Sequence, residues 1–169
     1  MTYPIRTRVL HWLTAIAVFA TLLIGFFMTN EIGSHGALVA THMTLGAAIL
    51  LIVIVRIASR FTHKTPPLPD TVGRWEARMV LGSELSLYTL LVAQPLVGWA
   101  MVSAAGLPVR VFGGIPLPRI APFDAELYGL LRQAHSALAY LLVAIVAGHV
   151  SAVLLHTLTL RDGMLRRMS

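Results

Sequence analysis

Residues 133–160 read QAHSALAYLLVAIVAGHVSAVLLHTLTL, twenty-eight consecutive positions without a charge. About 20 apolar residues carry a helix across the hydrocarbon core of a bilayer. A segment of this length in lipid must pair its backbone internally, which a helix does. The stretch is therefore read as a transmembrane helix, long enough to tilt or to protrude. It also carries three histidines, His135, His149 and His156. Ionisable side chains inside a membrane span are rare and mark functional sites as a rule.

Three further spans lie outward of it. Residues 9–28 and 36–55 are free of charge, and residues 85–105 are the apolar part of a third uncharged run. The 169 residues are 57 % hydrophobic and only 12 % charged, with a mean hydropathy of +0.79. A soluble domain carries about 25 % charged residues, so disorder is excluded and an ordinary water-soluble enzyme is not expected. The expected fold is an all-α membrane protein. Four transmembrane helices, about 9–28, 36–55, 85–105 and 133–160, form one integral membrane domain over residues 1–169. The first span follows Arg6 and Arg8 as a signal peptide would. Its apolar run is longer than a typical signal core and no A-x-A-like site follows Met28, so it is read as a helix of the mature protein. The absence of cysteine excludes disulfides, thiolate metal sites, iron–sulfur clusters and covalently attached c-type haem.

Charge sets the expected topology. Arg6, Arg8, Arg56, Arg60, Lys64, Arg74, Arg78, Arg161, Arg166 and Arg167 flank one set of helix ends; Arg110, Arg119 and Arg132 flank the other. Ten against three places both termini in the cytoplasm. The net charge of +6 is thus a topology and lipid-headgroup signal rather than a nucleic-acid footprint. Of the connectors, 29–35 is a short loop. The connector 56–84 holds an extended Pro-rich stretch, Thr65 to Pro69. Residues 106–132, rich in Gly and Pro, form a structured or draping loop.

Five of the seven histidines, His11, His42, His135, His149 and His156, fall in the spans; His35 and His63 fall in connectors. His135 and His149 are fourteen residues apart, which puts them on one helix face about 21 Å apart along the axis. His11 lies about 25 Å below the outer end of the first helix and His42 about 9 Å below the outer end of the second, a step of about 16 Å. That step fits His135 to His149 and not the roughly 32 Å from His135 to His156. The expected pairs are His42 with His135 toward the periplasm and His11 with His149 toward the cytoplasm. Two imidazoles on facing helices suit a six-coordinate haem iron engaged in electron transfer. Small neighbours (Ala15, Gly46, Ala139, Gly148) leave room for a macrocycle. Zinc or copper is the competing metal, but two histidines without an acidic partner under-coordinate a small ion.

The residues also resemble a family. Arg8-x-x-His11-Trp12, His42, Arg56-x-x-x-Arg60, Pro66-Pro67, Leu87-Tyr88, Pro95-Leu96-x-Gly98-Trp99 and the His135/His149 pair stand in the order and spacing of the bacterial cytochrome b561 family. That family includes the cytochrome b subunits of hydrogenases and formate dehydrogenases. The resemblance covers nearly the whole chain. It implies a four-helix bundle in the bacterial inner membrane with two non-covalent haem b groups, held by the same four histidines. It also implies exchange of electrons with quinone, ubiquinone being the expected acceptor or donor. Some bacterial members resemble superoxide oxidases, which pass an electron from periplasmic superoxide to ubiquinone. Here the outer connectors balance Arg110, Arg119 and Arg132 against Glu31, Asp124 and Glu126, so steering of an anion would need local clustering.

Other candidates follow from the chemistry of the cofactors. Haem propionates need cationic partners: Arg8, Arg56 and Arg60 at the inner end, Arg132 at the outer. His156, two turns beyond His149, could donate to a quinone carbonyl. Glu84, where many relatives carry histidine one turn before Tyr88, could handle a proton or simply be a solvated helix-end carboxylate. Trp12, Trp99 and Tyr140 could pack on a porphyrin or quinone ring. The leading function is transmembrane electron transfer by a quinone-linked oxidoreductase of the superoxide-oxidase kind. An anchor subunit that links a periplasmic dehydrogenase or hydrogenase to quinone is the alternative. A haem-free transport or assembly protein is the reading from another class. The expected partners are lipid, quinone, and superoxide or a periplasmic redox protein, with no nucleic acid.

Overall fold

The computed structural model describes residues 3–28, 35–62, 73–160 and 165. Four helices run up and down: α1 (Ile5–Met28), α2 (His35–Thr62), α3 (Arg74–Ala104) and α4 (Ala125–Leu154). Each is long and apolar enough to cross a membrane. The last continues into a π-helical segment, Leu155–Leu160. Helix α1 packs on α2, α2 on α3 and α3 on α4. One end of the bundle thus gathers the start of α1, the end of α2, the start of α3 and the end of α4. This is the terminal end.

Lipid explains the surface. Ile16, Leu23, Phe26, Ile54 and Leu85, all from the apolar spans, are exposed, as a helix turned toward hydrocarbon requires. Threonines in the spans satisfy their hydroxyls locally. Thr14, Thr21 and Thr44 donate to Leu10, Ala17 and Ala40, each four residues back, so these hydroxyls need no water. The core is small and central. Val18, Ile49, Val53, Leu90, Leu91 and Leu142 bring all four helices together.

Two helices begin well before their apolar spans. α3 starts at Arg74 and α4 at Ala125, about three and two turns ahead of residues 85 and 133. Hydropathy locates the part of a helix that lies in lipid, whereas hydrogen bonds locate its end. The Gly73 N–H donates to the Glu76 carboxylate at 3.0 Å, and Asp124 accepts from the Leu127 N–H at 2.9 Å. Both are capping arrangements that stabilise a helix start in water. His35, expected in a connector, is the first residue of α2. His63 and the stretch Thr65 to Pro69 lie outside the described residues.

The third connector departs furthest from a draping loop. It folds as a hairpin, β1 (Val109–Val111) against β2 (Ile115–Leu117), antiparallel with Val109 opposite Leu117. The all-α bundle therefore carries a small two-stranded ribbon at the end opposite the termini, here the hairpin end. Val109 and Val111 are buried, β1 packing on α2 and α3. The Phe112 N–H donates to Thr44 Oγ1 at 3.2 Å, the Trp99 indole N–H to the Pro118 carbonyl at 2.9 Å, and Arg119 to the Gly106 carbonyl at 3.0 Å. A Gly-Gly pair between two short apolar runs is a hairpin signal, and Gly113-Gly114 is that signal here.

Candidate functional site

Helix α4 carries His135 near its start and His149 near its end, and each meets a histidine from another helix. At the hairpin end the rings of His42 and His135 have centroids 6.2 Å apart, with planes crossed at 72°. At the terminal end His11 and His149 are 6.5 Å apart with planes at 57°. The core cluster fills the bundle between these two levels. The structure therefore brings together the pairs that depth arithmetic selects and leaves His156 outside both.

The separations suit a shared metal. A metal–imidazole bond runs about 2.0–2.1 Å, so two of them in line, with about 1 Å from each nitrogen to its ring centre, put the centroids about 6 Å apart. No group of three or more His, Cys, Asp or Glu able to hold an ion occurs among the described residues. Among the described residues each site thus offers two imidazoles, a set that leaves a small ion under-coordinated and suits an iron whose other ligands come from a porphyrin. The Nδ1 atoms of His42 and His135 are buried without a hydrogen-bond partner among the described residues, so these rings have polar capacity in reserve. The residues present fit haem.

Two glycines make the hairpin-end pair possible. A methyl group at Gly98 would lie 3.0 Å from Cε1 of His135, and one at Gly25 would lie 3.3 Å from Cε1 of His42. The small residues expected to matter are placed differently: Gly46 faces Pro95 and Gly148 faces open space. Gln94 adds a polar clasp, its Nε2 donating to the His135 carbonyl at 3.1 Å. Gly25 and Gln94 escape a reading by motif. The available signal is an isolated glycine inside an apolar helix, which has a packing or functional reason when it is kept.

The arginines at the terminal end divide their roles. Arg56 places Nη2 3.5 Å from Nδ1 of His11 and its guanidinium carbon 5.5 Å from the centre of the Tyr88 ring, a cation–π contact. Arg60 instead pairs with Glu84, Nη2 to Oε2 at 2.8 Å, which gives each of these candidates a protein partner. Arg8 is half-buried, and its Nε has no partner among the described residues. Arg132 is exposed one turn before His135. His156 is half-buried in the π-helical segment. Trp12 stands edge-on to His11 at 5.6 Å. Trp99 donates to the hairpin, and Tyr140 is 79 % exposed.

A family model for prokaryotic cytochrome b561 matches residues 2–169. The chain is 29 % identical to cytochrome b561 homolog 2 of Escherichia coli (strain K12) over 98 % of its length and 90 % of that protein. It is 24 % identical to cytochrome b561 homolog 1 of the same organism, over 94 % of this chain and 92 % of the relative. It is 28 % identical to a protein of Yersinia pestis named probable superoxide oxidase CybB, over 75 % of this chain and 72 % of that one.

Proposed function

Because this chain belongs to the prokaryotic cytochrome b561 family, haem b proteins that move electrons in the bacterial inner membrane, we propose that it carries electrons between its two ends through two bis-histidine haem b sites and exchanges them with quinone. The observation that carries this is the pair of ring separations, 6.2 Å at one level and 6.5 Å at the other. His42 and His135 would hold one haem, His11 and His149 the other. Held there by two histidines, each haem would supply a one-electron carrier, a ligand set that favours electron transfer over oxygen binding.

The remaining groups serve the two ends. With the termini in the cytoplasm, as the Lys and Arg distribution directs, the hairpin end faces the periplasm. Arg8 and Arg56 supply cationic partners for carboxylates at the cytoplasmic level, and Arg132 does so at the periplasmic one. His156 is the candidate donor to a quinone carbonyl at the cytoplasmic end. The Arg60–Glu84 pair lies at that same end and offers a carboxylate for proton transfer.

Superoxide is the donor this reading favours, by similarity to the relative named probable superoxide oxidase. Two superoxide anions give up one electron each and leave as dioxygen; one quinone takes two electrons and two protons. The exposed Phe112, Ile115, Ile120 and Phe123 at the hairpin end support a second reading, an anchor that docks a periplasmic redox protein. The haem-free reading is set aside by the family.

A reduced-minus-oxidised absorbance spectrum with a haem-to-protein ratio tests the proposal. The expected result is a b-type spectrum at two haems per chain, reduced by superoxide in the isolated protein. A colourless protein purified with haem available overturns the haem reading. Reduction only in the presence of a copurifying soluble subunit selects the anchor.

A further inference from the structure

The two histidine pairs differ in what faces the ring nitrogen that would not hold iron. At the hairpin end each ring turns its Cε1–Nδ1 edge onto a glycine of a neighbouring helix. A methyl group at Gly25 would lie 3.6 Å from Nδ1 of His42, and one at Gly98 would lie 3.3 Å from Nδ1 of His135. One turn before each glycine, the backbone carbonyls of Thr21 and Gln94 act electrostatically on the His42 and His135 rings. Neither Nδ1 has yet closed a hydrogen bond. With only a carbonyl to meet, Nδ1 carries the proton and Nε2 keeps its lone pair for iron. An acceptor on that N–H makes the ligating nitrogen more basic.

Among the described residues the terminal end has no such seat. Gly148, beside His149, meets nothing within 4 Å. Instead Nδ1 of His11 lies 3.5 Å from Nη2 of Arg56. A guanidinium has only donors and keeps its charge, so this ring meets a permanent cation, held in place against Tyr88. Arg8 adds a second half-buried guanidinium at this end, while Arg60 is offset by Glu84. At the hairpin end Arg110, Arg119, Arg132, Asp124 and Glu126 are all exposed, where water and salt screen them. A charge half-buried beside the ring acts through a lower effective dielectric constant and outweighs them.

Building on the haem reading above, we propose that the Gln94–Gly98 turn and Arg56 are positioning residues that set the two iron sites to unequal reduction potentials, the terminal-end site being the easier to reduce. Reduction adds one electron to an iron site and lowers its charge by one, with no bond made or broken. A fixed cation favours that change, and a more basic imidazole opposes it. An electron placed on the loaded protein therefore settles beside Arg56.

Potentiometric titration of the haem-loaded protein, followed by absorbance, tests this. Wild type should titrate in two components, and H135A, which keeps only the His11–His149 pair, should match the higher one. R56Q should move the higher component down and leave the lower in place, while R56K, which keeps the charge, should hold the higher one near its wild-type position. G98A, which displaces the seated ring, should move or remove the lower component alone. The proposal is overturned if H135A titrates with the lower component, if R56Q shifts neither, or if R56K falls as far as R56Q. A protein that takes up no haem, or that keeps two haems in H135A, overturns the haem reading itself.

Discussion

Arg60 at the end of α2 and Glu84 in α3 are joined by an ion pair of 2.8 Å, with 38 % and 29 % of their side chains exposed. The pair ties two helices together at the terminal end, across a connector of which residues 63–72 lie outside the described set. Exposure on this scale screens the attraction, so the contact contributes at most about 1 kcal/mol.

Glu84→Gln is accordingly expected to lower stability by less than about 1 kcal/mol, read from thermal unfolding in detergent. Haem content should be unchanged, since Glu84 touches neither histidine pair. A loss of haem in this variant would show that the pair holds a site together rather than a connector.

Replacement of either partner in a pair should empty one level and spare the other. His42→Ala is expected to halve the haem-to-protein ratio, and so is His149→Ala, while the double variant should carry none. The reason is spatial. The two pairs stand fourteen residues apart on α4, about 21 Å along its axis, with the core cluster of Val53 and its neighbours packed between them. Equal loss of both haems in a single variant would mean that the levels assemble as one unit.

The glycines facing the hairpin-end rings should rank by closeness. Gly98→Ala puts a methyl group 3.0 Å from His135, whereas Gly25→Ala puts one 3.3 Å from His42. The first should cost more haem than the second, and neither should disturb the His11–His149 pair. Alanine is favoured over glycine within a helix by roughly 0.5–1 kcal/mol. Helix content by circular dichroism should therefore stay level while haem falls.

His156→Ala should keep both haems and slow quinone reduction, measured by stopped-flow absorbance with a soluble quinone. The residue lies seven positions beyond His149, in the π-helical segment, a type of irregularity found often at functional sites. An unchanged rate would remove His156 from the quinone site.

The order of legibility follows from the physics. Four spans were plain in the sequence because lipid imposes a single rule, about 20 apolar residues in a helix, and residues 133–160 obey it in any context. The pairing of His42 with His135 and His11 with His149 was also within reach. Helix rise is constant at 1.5 Å per residue, so depth can be counted once the spans are known. What the count could not reach was anything lateral. The seats at Gly25 and Gly98, the clasp of Gln94 on His135 and the placement of Arg56 between Tyr88 and His11 depend on how the helices are rotated and how closely they approach. Only the packed bundle decides that. Helix ends escaped for a related reason: hydropathy sees where lipid stops, whereas Gly73 with Glu76 and Asp124 with Leu127 stop their helices by hydrogen bonds in water. The hairpin of residues 109–117 came last, since three-residue strands acquire their pairing from the helix ends on which Val109 and Val111 are buried, and a one-dimensional pattern holds no record of that surface.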